Sequence, residues 1–132
     1  MDLDAVRNSY ARCLMRDDFI HRFYDIFIDS HPDIRPMFEE TDFDLQVNLL
    51  RQGLGYAFQF ARGDASAKNH LDKIRQSHSR AGQIKVEPGL YPYWIDSMVK
   101  AASECDPDFT PGLETAWRNA LERATDHIKS GY

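Results

Sequence analysis

Among five histidines in the chain, His78 stands where an imidazole has work to do. It closes the segment Ala67-Lys68-Asn69-His70-Leu71-Asp72-Lys73-Ile74-Arg75-Gln76-Ser77-His78. Ala67, Leu71, Ile74 and His78 fall at i, i+4, i+7 and i+11, one side of a 3.6-residue period. The residues between them are polar. An imidazole on such an inward stripe has two readings. It is a core side chain satisfied by a backbone carbonyl, or a nitrogen offered to a metal or a proton. Periodicity alone does not choose between them.

Other chemistries find little support. A di-metal carboxylate bundle needs Glu-x-x-His on two helices, and the nearest approach is a single Asp18-Phe19-Ile20-His21. His70 and His78 lie eight residues apart, which turns them roughly 80° from each other around a helix and makes them a poor shared metal pair. No H-E-x-x-H, G-x-S-x-G, phosphate-binding loop or glycine-rich dinucleotide turn is present. Cys13 and Cys105 are distant in sequence and form no C-x-x-C, so a disulfide or zinc site is not expected. Both read as small apolar side chains in a reducing cytoplasm.

The 132 residues suit one domain with a real core. A net charge of −5 does not favour nucleic acid or an anionic membrane surface. No apolar run is long enough to span a bilayer, and Met1-Asp2-Leu3-Asp4 does not open a signal peptide.

The elements that must position His78 read as helices nearly throughout. Only Gln83 to Val86 has the look of extended chain. A first helix is expected from about Leu3 to Arg16, capped by Asp2 or Asp4, with Leu3, Val6, Tyr10, Cys13 and Leu14 inward. Asp17 and Asp18 open a second helix to about Asp29, rich in aromatics. Ile20, Tyr24 and Phe27 share a face there, so the Tyr24 hydroxyl is carried inward, where it needs a partner.

Ser30 to Phe38 is a proline-bearing corner. A third helix runs from Asp42 or Phe43 to Ala61. Gln46, Leu50, Gly53 and Ala57 lie on one face, and Val47, Leu54, Phe58 and Ala61 on the next. Gly53 and Gly55 each cost about 1 kcal/mol against alanine, which points to close approach of a backbone or a flat ligand, or to a loosened helix.

Gly63-Asp64 breaks the chain, and the His78 helix is expected to end at Ala81-Gly82. A helix to about Glu104 places Tyr91, Ile95, Met98 and Ala102 inward. The last helix, capped by Thr110 with Pro111 in its first turn, buries Leu113, Trp117, Ala120, Leu121, Ala124 and Ile128. The fold class is all-α, one domain over 1–132. Proline-rich corners and unequal helix lengths favour helices crossing at larger angles over an up-down bundle.

A single inward histidine thus shares the molecule with an inward glutamine, an inward tyrosine and a corner phenylalanine. That set matches a haem pocket, where a neutral imidazole ligates iron and polar donors opposite it govern the sixth position.

With these residues the chain resembles bacterial single-domain globins and the globin domains of flavohaemoglobins. Phe23-Tyr24-Asp25-Ile26-Phe27 resembles the family's second-helix signature, and His31-Pro32 with Phe38 its haem-packing corner. Gln46 with Leu50 resembles the distal pair. His78, followed by Gly82, Ile84 and Tyr91-Pro92, resembles the proximal histidine and the next helix, and Ala116-Trp117 a pair in the last helix. The resemblance spans roughly Asp4 to Ile128 and implies a globin fold around one haem b (protohaem IX). It implies His78 as the axial iron ligand of a five-coordinate haem. Tyr24 and Gln46 become distal hydrogen-bond donors to dioxygen, and Leu50 and Phe38 walls of the pocket. Ser77 is implied to bond a propionate or the His78 ring, and Tyr91 to line the proximal side. His70 is expected at the solvent edge, and His21, His31 and His127 at the surface or in structural contacts.

There are departures from the family pattern. The stretch from His78 to Tyr91 is longer than the pattern, Leu121 stands where tyrosine is often seen, and Asp126 to Tyr132 lacks the glutamate of a proximal relay. The implied function is reversible binding of a diatomic gas (O2, NO or CO) for sensing, scavenging or redox chemistry, by a monomer or homodimer. The alternatives are a nitric-oxide dioxygenase served by an external reductase and a haem-free globin-like regulatory module.

Overall fold

The computed structural model describes residues 3–82 and 86–132. The expected extended stretch from Gln83 lies largely outside the described residues, as do Asp2 and Ile84. Among the described residues there are six α-helices and no strand. They are α1 (Leu3–Leu14), α2 (Phe19–Asp29), α3 (Phe43–Ala61), α4 (Ala65–Ser77), α5 (Tyr91–Cys105) and α6 (Pro111–Lys129). Short 3-10 turns, Arg35–Phe38 and Pro88–Leu90, sit at the two proline corners.

Local sequence explains the starts of these helices. The Asp42 carboxylate accepts from the Asp44 and Leu45 amides, Asp64 from the Ser66 amide, and Thr110 Oγ1 from the Leu113 amide. Each satisfies donors that the first turn leaves open. Between α3 and α4 the chain reverses at Gly63, whose φ of 87° is a conformation L side chains rarely adopt. Pro36 lies within a single 3-10 turn, as its missing N–H requires.

The aromatic face of α2 buries Phe19, Ile20, Phe23, Tyr24 and Phe27, chiefly against α5. Full burial of a side chain such as Phe23 contributes about 1.5–3 kcal/mol. The α3 helix packs on both α4 and α6. Tyr10, Phe58 and Trp117 join α1, α3 and α6 through edge-on ring contacts of 5.3–6.2 Å.

A buried polar tie fastens α1 and α6 to the end of α5. Arg12 grips the Asp106 carboxylate at 2.6 and 2.9 Å, Ser9 Oγ donates to it at 2.6 Å, and Trp117 Nε1 donates to Ser9 Oγ at 3.0 Å. The Arg12 guanidinium, helped by Ser9, pulls the Asp106 carboxyl down to about 2 even though burial opposes it.

Four expectations need correction. The first helix stops at Leu14, short of Arg16. The fourth stops at Ser77, not at Ala81-Gly82. Leu113 and Ile128 are only partly buried, because they lie at the margins of their core clusters. No backbone approaches Gly53 or Gly55: an added Cβ at either would meet nothing beyond the helix's own backbone within 4 Å. Both cysteines are free and buried, as apolar side chains would be. No helix among the described residues is long and apolar enough to cross a membrane.

Candidate functional site

Tyr24 and Gln46 come together. The Gln46 Nε2 amide donates to the Tyr24 hydroxyl at 3.0 Å, joining α2 to the first turn of α3. Tyr24 is 5% exposed, and burial raises its hydroxyl to about 12, with the Gln46 bond pulling the other way. Its oxygen therefore accepts one bond while its own proton finds no acceptor among the described residues. A buried O–H without a protein acceptor keeps one donor that a bound group could use.

Aromatic rings surround this donor. Phe38, partly buried at the corner, meets Tyr24 edge-on at 5.6 Å and Phe27 at 6.0 Å. Phe43 stacks on Phe38 at 6.1 Å and also meets Tyr24, at 5.5 Å. Leu50, one turn after Gln46 on α3, is partly buried on the same core. Phe43 was not among the expected site residues. Its position three before Gln46, on the same side of the helix, was the available signal.

His78 caps the C-terminus of α4, with φ −93° and ψ 0°. Ser77 Oγ sits 3.0 Å from the Ile74 carbonyl and 3.0 Å from His78 Nδ1. The hydroxyl has one proton, and the carbonyl takes it. The ring can then donate its Nδ1–H to Ser77, the tautomer that leaves the Nε2 lone pair free. Burial lowers the imidazole's pKa and favours the neutral, ligating form. Of the two partners the resemblance allowed Ser77, the His78 ring is within hydrogen-bond distance.

The helix ends here because the chain folds back on itself. Gly82 donates to the Ser79 carbonyl at 2.9 Å. A Cβ on Gly82 would fall onto the backbone carbonyls of Ser77 and Gln76. The Val86 amide then closes the loop on the His78 carbonyl at 3.2 Å.

The register of α3 against α4 relates the two halves. Tyr56 and His70 stack at 3.9 Å, and Ala57 packs with Leu71 and Ala124 at the closed end of this antiparallel pair. Eight residues on from His70 is His78, and eight back from Tyr56 is Asn48, between Gln46 and Leu50. Each step covers about 12 Å. Counted from the Tyr56–His70 contact, His78 and the Gln46–Leu50 turn are thus equally far along their helices. Gly53, half-buried on that same face, adjoins open space. A neutral imidazole, a phenol proton without a protein acceptor and an aromatic wall are side-chain types that fit a flat, largely apolar group with a metal at its centre.

Among solved structures the chain matches the crystal structure of a Pseudomonas aeruginosa PAO1 protein described as structurally highly homologous to a human hemoglobin. The TM-score is 0.93 at 38% identity, covering 98% of this chain and 97% of that one. This chain belongs to the globin family. No family model and no curated protein matches the sequence.

The remaining expected residues lie as follows. Tyr91 is buried at the start of α5, and its hydroxyl is raised to about 12 by burial alone. Among the described residues no hydrogen bond or ring contact links it to His78. His70 is exposed beside Tyr56, as a solvent-edge residue would be. His127 is structural, 2.5 Å from Asp72 and 5.0 Å from the Phe60 ring. The described residues hold no group of three or more His, Cys, Asp or Glu able to bind a bare metal ion.

Proposed function

We propose that this globin holds protohaem through His78 and reversibly binds a diatomic gas, dioxygen foremost, beside Tyr24. The observation that carries the reading is the pairing of a histidine whose Nε2 is free with a buried tyrosine whose proton has no protein acceptor. When bound, the haem supplies an iron that takes the gas and leaves it partly negative. Everything else falls to the chain.

Ser77 fixes the His78 tautomer and ring plane. Gln46 holds the Tyr24 oxygen, so the phenol proton turns away from α3 and toward the guest. Phe38, Phe43 and Leu50 keep water from competing for that proton. A hydrogen bond to a charged partner contributes about 1.5–3 kcal/mol, which lengthens residence by about ten- to a hundredfold. Slow release suits sensing, scavenging or redox chemistry better than carriage. The Nδ1 partner of His78 is a neutral hydroxyl rather than a carboxylate, which favours plain binding over an electron-rich proximal relay.

Haem-loaded, reduced protein exposed to oxygen and then to argon tests the reading. The spectrum is expected to change and then return. Immediate oxidation to the ferric form without return would contradict reversible binding.

A further inference from the structure

Gly131 and Tyr132, beyond α6, pack against the segment that carries His78. The Arg80 guanidinium lies 4.9 Å from the centre of the Tyr132 ring, and the Arg80 amide donates to the Tyr132 carbonyl at 3.4 Å. On the other side of His78, Gly131 is pressed against Arg75: a Cβ there would collide with the Arg75 side chain. The Arg75 Nε is buried at this contact without a hydrogen-bond partner among the described residues. Arg75 is one turn before His78 and Arg80 two residues after it. The backbone between them is therefore gripped from both ends by one short segment.

We propose that Tyr132 is a positioning residue for His78, holding the end of α4 and the following loop so that the imidazole keeps one orientation. The inference rests on the reading of His78 as the iron ligand. The Val86 amide closing on the His78 carbonyl transmits the effect. If Tyr132 lets go, Arg80 swings, the loop opens, and that bond breaks more often. The imidazole then samples a range of tilts instead of one. A phenylalanine at 132 keeps the ring face under the guanidinium and keeps the brace.

Two readouts on Tyr132→Ala, Tyr132→Phe and Arg80→Gln decide the matter. Amide hydrogen exchange of the purified protein reports the brace. Val86 is expected to exchange about tenfold faster in Tyr132→Ala and Arg80→Gln and at the wild-type rate in Tyr132→Phe. The iron–histidine stretching band of the ferrous, haem-loaded protein reports the imidazole. It is expected to shift or broaden in the first two variants and to be restored in the third. Wild-type exchange at Val86 in Tyr132→Ala or Arg80→Gln overturns the inference. So does faster exchange with an unmoved band, which would mean that Tyr132 only stiffens the loop. A wild-type protein without such a band, or one whose band survives His78→Gly, sinks the His78 assignment instead, and Val86 exchange still judges the brace.

Discussion

The Gln46 side-chain amide donates to the Tyr24 hydroxyl at 3.0 Å, which links the two proposed distal donors across α2 and α3. In the function proposed, Gln46 aims Tyr24, and Tyr24 meets the bound gas.

Replacing Tyr24 by phenylalanine is expected to speed oxygen dissociation about tenfold or more, the kinetic equivalent of one lost charge-assisted bond. Stopped-flow displacement of oxygen by carbon monoxide measures it. Because burial raises the Tyr24 hydroxyl to about 12, the donor keeps its proton through neutral and mildly alkaline solution. The dissociation rate should then be flat from about pH 6 to about pH 10.

Gln46→Leu should have a smaller effect than Tyr24→Phe, and the double variant should resemble Tyr24→Phe alone. Residues acting in series are not additive. A double-mutant cycle on the dissociation rate tests this, and strict additivity would mean that Gln46 reaches the guest by itself.

Gly82→Ala should detach the loop that closes α4, since the new methyl group falls on the Ser77 and Gln76 carbonyls. The expected cost is about 2 kcal/mol of stability by urea denaturation, with faster loss of haem to an acceptor globin. Gly53→Ala is the contrasting case. It meets open space and gains helix propensity, so the haem-free protein should become about 1 kcal/mol more stable.

Asp106 ties α1 and α6 to the end of α5, and its folded-state pKa of about 2 lies below the unfolded range. Its stabilisation is fully present above about pH 4 and fades as the pH falls toward 2, a loss of roughly 2 kcal/mol. Asp106→Asn should remove about that much at neutral pH and flatten the acid limb of the stability profile. Thermal unfolding from pH 7 down to pH 2.5 checks both.

The helices and the inward direction of Tyr24 were legible because periodicity and capping residues report local structure directly. So was the all-α class. What stayed hidden depends on contacts between distant segments. The early end of α4 follows from Gly82 pressing on the carbonyls behind it, and no local propensity encodes that. Likewise, Arg12 and Asp106 lie 94 residues apart and look like ordinary surface charges until the fold joins them. Phe43 was visible as a helix start, but its role at Tyr24 needed the corner before it to be placed in space.

Whether His78 holds iron is read from haemin titration of the haem-free protein, followed at the Soret band. The wild type should saturate at one equivalent and give a five-coordinate, histidine-ligated spectrum on reduction. His78→Gly should lose that spectrum and regain it with added imidazole. No Soret band in the wild type, or an unchanged band in His78→Gly, would rule out His78 as the iron ligand.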